Sequence, residues 1–272
     1  MERLTDQAAL HLHHARARRR PALFLREVIR DEVQERLLMV NRTFTAPLVV
    51  TAFPDLWPDM PHAAPSDTLA LPEHGYDLIV LDMVLHWAND PVGMLVQAQR
   101  ALRPDGLLLA PLFGGQTLAE LRAALAEAEV AISGGLSPRV LPMGEIRDLG
   151  ALLQRAGFAL PVADSIPFTV SHPHLFALAA DLRGMGEQNA LAARLRRPTP
   201  RAMFLQAAAI MDDRFSVDGK IQSTFDVVFL TGWAPAPSQP KPLRPGSATH
   251  HLSAVLPTPP QPEVDVAPKM AD

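Results

Sequence analysis

The apolar positions of this chain fall into alternating helical and strand-like runs between about residue 21 and residue 233. After Pro21, Leu23, Phe24, Val28, Val33, Leu37 and Leu38 recur near helical spacing, which predicts a packing helix whose first turn tolerates the proline. Pro47 to Thr51 is short, apolar and β-branched, the pattern of a core strand. Between Phe53 and Pro72 the chain carries Pro54, Pro58, Pro61, Pro65 and Pro72, which precludes a regular helix of any length. A buried strand then runs from Tyr76 to Leu81 and ends in Asp82. An amphipathic helix follows, then the turn Pro104-Asp-Gly106 and a second apolar strand, Leu107 to Leu112. That sequence of elements is one parallel βαβ unit.

Downstream, Thr117 to Val130 is helical, with Thr117 and Glu120 spaced as a capping box. Gly134 to Pro138 is a loop, and Met143 to Ala156 a helix closed by Gly157. Val162 to Val170 and Thr224 to Trp233 read as strands, with helices predicted over His174 to Met185 and Ala190 to Asp212. Parallel strands joined through helices and closed by a late strand pair make a doubly wound α/β sheet. The boundaries follow: a polar, basic arm over 1–20, an α/β domain over 21–234 with a helical insertion near 172–215, and a Pro-rich, mostly disordered tail over 235–272.

Bulk composition narrows the function. A net charge of −4 supplies no basic field for nucleic acid. The absence of cysteine rules out disulfides, a thiol nucleophile and a zinc–thiolate site. No apolar run reaches the roughly 20 residues of a membrane span. The N-terminus lacks the apolar core of a signal peptide. A soluble protein of the cytoplasm is expected, free or peripheral at the inner face of a membrane. His11, His13 and His14 have no carboxylate at ligand spacing, so no metal site is assigned.

In open α/β sheets ligands bind beyond the carboxyl ends of the strands. Here that means Thr51 to Phe53 and Asp82 to Trp87. Asp82 is either a ligand group or a turn cap. His86 and Trp87 are either a base and a stacking wall or a buried ring beside a satisfied histidine. Gly114-Gly115 permits close backbone approach. No GxSxG, HExxH or GxxxxGK[ST] run is present, which leaves hydrolase, zinc-protease and P-loop chemistry without a motif.

Several runs carry a resemblance: Asp67 to Pro72, Tyr76 to Val80, Leu85-His-Trp87, Asn89-Asp90, Leu102 to Gly106 and Phe113-Gly-Gly115. Together they resemble class I S-adenosylmethionine-dependent methyltransferases. Phe113-Gly-Gly-Gln-Thr-Leu-Ala-Glu-Leu-Arg122 and Asp181-Leu-Arg-Gly-Met-Gly-Glu187 are more specific. They are similar to the methyltransferase-like assembly factors of respiratory complex I and their bacterial relatives, and more distantly to malonyl-carrier-protein methyltransferases. The resemblance implies a Rossmann-like sheet and S-adenosylmethionine as cofactor. It also implies a protein partner, a complex I subunit, which family members chaperone or modify, in one instance by arginine hydroxylation.

One departure stands out. The family's glycine-rich cofactor loop follows its first strand, where this chain reads Thr51-Ala-Phe-Pro-Asp-Leu-Trp57. A parallel crossover needs at least about 10–12 residues, so residues 53–75 hold one crossover and not the family's two extra strands. The sheet is therefore expected to lack its two outer strands. Asp67 matches the acidic residue that contacts the adenine amino group, and the ribose carboxylate has no equivalent. The resemblance thus puts Thr51, Ala52, Phe53, Asp67, Asp82 and Met83 on the cofactor side. His86, Trp87, Gly114 and Gly115 fall on the substrate side, and no catalytic residue is assigned. Three functions stay open: a partner-binding protein with a degraded cofactor site, an active S-adenosylmethionine enzyme with a non-standard site, and an interaction module that uses the Pro-rich tail.

Overall fold

A computed structural model describes residues 3–240, and those up to Pro237 belong to one compact unit. Helices α1 (Gln7–Ala17) and α2 (Phe24–Met39) precede β1 (Pro47–Val50), β2 (His62–Ala63) and β3 (Tyr76–Leu81). Then come α3 (Pro91–Ala101), β4 (Leu102–Gly114), α4 (Ala119–Ser133), α5 (Ile146–Arg155) and β5 (Ala159–His172). The chain continues through α6 (Leu175–Met185), α7 (Arg201–Phe215), β6 (Ser216–Val217) and β7 (Lys220–Trp233). The strands form one sheet in the order β2-β1-β3-β4-β7-β5, with β6 paired to β7. β2, β1, β3 and β4 are parallel, and β7 is antiparallel to both β4 and β5.

This is the Rossmann-like α/β class expected. Both faces of the sheet are covered, which explains the continuous apolar runs. Leu78 and Val80 face α2, α4 and α7, while Ile79 and Leu81 on the same strand face α3 and α5. Beyond β1 only the two-residue β2 remains, so the outer sheet ends almost at once. α6 and α7 fall within the 172–215 interval.

Several local expectations differ from the structure. The first 20 residues contain a docked helix, α1, with Leu10, His14 and Ala17 buried. On α2 the inward face is Leu25, Ile29 and Val33, whereas Phe24, Val28 and Leu38 are exposed. The capping box does not form. Thr117 gives its hydroxyl to the Gly114 carbonyl and accepts from the Asp226 amide, and Glu120 accepts from Thr224. β7 thus captures both side chains, and α4 starts two residues later. The helix predicted over Ala190–Asp212 begins only at Arg201, because Pro198 and Pro200 interrupt it. The Pro-rich tail beyond residue 240 lies outside the described residues.

Candidate functional site

The carboxyl ends of β1 and β3 carry a buried chain of charges. Asp82 accepts from the Thr51 hydroxyl at 2.6 Å and from Trp57 Nε1 at 3.3 Å. Arg26, on the inward face of α2, lies 3.7 Å from Asp82 and donates to Glu187 at 2.9 Å. Glu187 Oε2 accepts from Trp87 Nε1 at 2.7 Å and sits 3.2 Å from His86 Nε2. Burial pushes the Glu187 carboxyl up, but the charges of His86 and Arg26 and the Trp87 hydrogen bond together hold it down at about 2.

The structure brings Thr51, Asp82, His86 and Trp87 into one network. Arg26 and Glu187 complete it, and sequence reasoning missed both. Arg26 carried one signal, a charge at a position flanked by the apolar residues of a packing helix. Glu187 carried another, as the last residue of the Asp181–Glu187 run.

The remaining cofactor-side residues are packed against protein. The Phe53 ring lies under the Arg26 guanidinium, 4.6 Å from it, and beside His14. The Ala52 carbonyl accepts from Arg18, the C-cap of α1, and the Met83 amide donates to the Pro111 carbonyl. Asp67 accepts from Asn89 and, at 3.1 Å, from the Gln7 amide of α1. Thus α1 lies along the side where the resemblance places the nucleoside. Between Gln7, His14, Asp67 and Trp87 a cavity of about 10 Å³ is left. Small-molecule sites run to about 300–1,000 Å³, so the space between these side chains is far below the size of such a site. Gly186, with φ +81°, is required here, since a Cβ on it would lie 2.7 Å from the His14 ring.

His14 makes this side sensitive to acid. Burial is the main cause that holds its imidazole down at about 4. Glu187 pulls the value up, and Arg26, His11 and His86 push it further down. A folded value below the ordinary 6.5 means that the unfolded chain binds the proton more tightly. This stability is complete above pH 6.5 and is lost as pH falls toward 4. Between pH 7 and pH 5 the loss is about 2 kcal/mol. Half-buried His13 and buried His172 add in the same direction. Urea denaturation of the wild type beside His14→Gln at both pH values isolates the His14 share.

The substrate side is open. A cavity of about 250 Å³ lies over His86, Trp87 and Phe113. Its walls include Thr117, Leu118 and Leu121 from the Phe113–Arg122 run, and Leu182, Arg183 and Glu187 from the Asp181–Glu187 run. The two most specific runs of the sequence therefore meet at one cavity. Gly114-Gly115 serves packing at its edge. Gly115 has φ +49°, and a Cβ there would fall onto the Asp226 carboxylate, while one on Gly114 would lie 2.7 Å from Val228. Among the described residues no helix is long and apolar enough to cross a membrane, and no group of three or more His, Cys, Asp or Glu could hold a metal ion.

A methyltransferase domain family matches residues 50–110. The arginine-hydroxylase NDUFAF5, mitochondrial, of Dictyostelium discoideum is 40% identical over 185 residues, 67% of this chain and 42% of that protein. The human protein of the same name is 39% identical over 190 residues, 68% and 54%. A malonyl-[acyl-carrier protein] O-methyltransferase of Xylella fastidiosa is 35% identical over 168 residues, 62% and 55%. The chain spans about half the length of these curated relatives. Among solved structures, a putative methyltransferase of Bacillus halodurans aligns over 73% of this chain and 97% of its own at 12% identity, with a TM-score of 0.46.

Proposed function

We propose that this chain, a methyltransferase-fold relative of the NDUFAF5 proteins, acts by holding a protein partner at the cavity over His86, without methyl transfer. One contrast carries the reading: about 10 Å³ is left on the cofactor side against about 250 Å³ on the substrate side. A protein selected to use S-adenosylmethionine would keep the first space. This chain closes it with Gln7, Leu10, His14 and Trp87, and its loop after β1, Thr51–Trp57, carries no glycine. Its open cavity is floored by a histidine and a tryptophan that Glu187 holds in place.

The name of the NDUFAF5 relatives supplies a second element, a protein-directed activity on arginine, and the family resemblance supplies a respiratory complex I subunit as the partner. Co-expression with complex I subunits tests the reading. One subunit should co-purify with the full-length chain, and Gln188→Trp, which adds bulk at the cavity wall, should abolish that. A folded Gln188→Trp protein that retains the subunit would place the partner elsewhere.

A further inference from the structure

A second cavity, of about 180 Å³, shares three wall residues with the first: His86, Phe113 and Met143. Those three side chains therefore stand between the two spaces. Two of them are fixed. His86 is held by Glu187 at 3.2 Å and lies against Phe113, with ring centroids 5.2 Å apart, and Phe113 packs in turn on Phe225 of β7. Met143 is the movable one. It is half-buried, in the segment between α4 and α5, and that segment is pinned on either side of it. Leu141 is buried against Leu10, Trp87 and Leu191, and the Gly144 carbonyl accepts from the Gly115 amide at 2.9 Å. With the backbone held there, the unbranched thioether side chain is the part that can turn aside.

Leu4, Leu85, Leu112, Leu149 and Leu152 line the second cavity. Two of its lining side chains are polar, and both are engaged elsewhere. Asn89 bonds Thr5 and Asp67, and His86 turns Nε2 to Glu187. A charged or amide group placed there would leave water with no side chain to receive it. A cavity of about 150 Å³ with leucine, isoleucine and phenylalanine walls takes benzene, so this one has the size and lining for a phenyl or isobutyl group. Neither cavity alone reaches the roughly 300 Å³ at the lower end of small-molecule sites, and the two joined exceed it.

We infer that the second cavity is an apolar subsite of the first, opened when Met143 turns aside, and that it takes a leucine- or phenylalanine-sized side chain of the partner. The inference rests on the first cavity being the partner site and names what the partner presents beside it. The space over His86 stays open to the residue that an activity on arginine would concern.

Benzene titrated into the full-length protein, with ¹³C-methyl methionine observed by NMR, tests the pocket, and Met143→Leu assigns the Met143 signal. Benzene should shift that signal saturably. Leu152→Phe adds bulk to the wall at a half-buried position of α5. It should weaken benzene binding by about tenfold or more, with the remaining methionine signals in place as the sign of an intact fold. In the co-expression experiment the same variant should lower the amount of subunit retained to a similar degree. Two results overturn the inference: a Met143 signal that benzene leaves unmoved, or a folded Leu152→Phe protein that binds benzene or keeps the subunit as the wild type does. Absence of the subunit from the wild-type preparation would instead sink the first cavity as the partner site, whatever benzene does.

Discussion

Arg26→Ala should lower the unfolding free energy by about 3–5 kcal/mol, the range for removing one member of a buried ion pair. The side chain is 2% exposed and stands between Asp82 and Glu187. Its removal leaves two buried carboxylates without their cation, and takes from Phe53 the guanidinium stacked on its ring. An exposed ion pair on this protein, Arg214 with Glu127 for example, would cost at most about 1 kcal/mol when broken. Urea denaturation of the full-length chain reads the difference. Combining Arg26→Ala with Glu187→Gln should recover part of the loss, because the second change removes one stranded charge. The cycle therefore returns a coupling energy between residues far apart in sequence. A loss below about 1 kcal/mol would mean that water reaches these groups and that the cofactor side is open.

The centre of the fold was legible because its physics is local. Tyr76–Leu81 is apolar on both faces and ends in Asp82, so its limits are fixed by composition alone, and the structure has the strand with the same bounds. The gap between Thr51 and Tyr76 was equally readable, since chain length caps the number of crossovers. It left room for β2, a strand too short to show any pattern. Docking of α1 was hidden. Its sequence is mostly polar, and only Leu10, His14 and Ala17 turn inward.

Arg26 and Glu187 lie 161 positions apart, and no spacing rule joins them. Gly114-Gly115 shows a different failure. The pair marks a close approach of backbone, but what approaches is Val228 and Asp226 of the protein itself. Thr117 and Glu120 likewise had the spacing of a cap. The adjacent strand competed for both side chains and won.

Calorimetric titration of the full-length protein with S-adenosylmethionine and S-adenosylhomocysteine tests the central claim, that the cofactor side has become protein core. Measured against the family pattern, a loop after β1 without glycine and the lack of a ribose carboxylate would remove two or three contacts worth about 1–3 kcal/mol each, which already approaches a thousandfold in affinity. Gln7 then competes for Asp67, the carboxylate that the family resemblance would place at the adenine. The expected result is no saturable heat from either compound at millimolar concentration, with Asp67→Ala indistinguishable from the wild type. Micromolar binding that Asp67→Ala abolishes would contradict it.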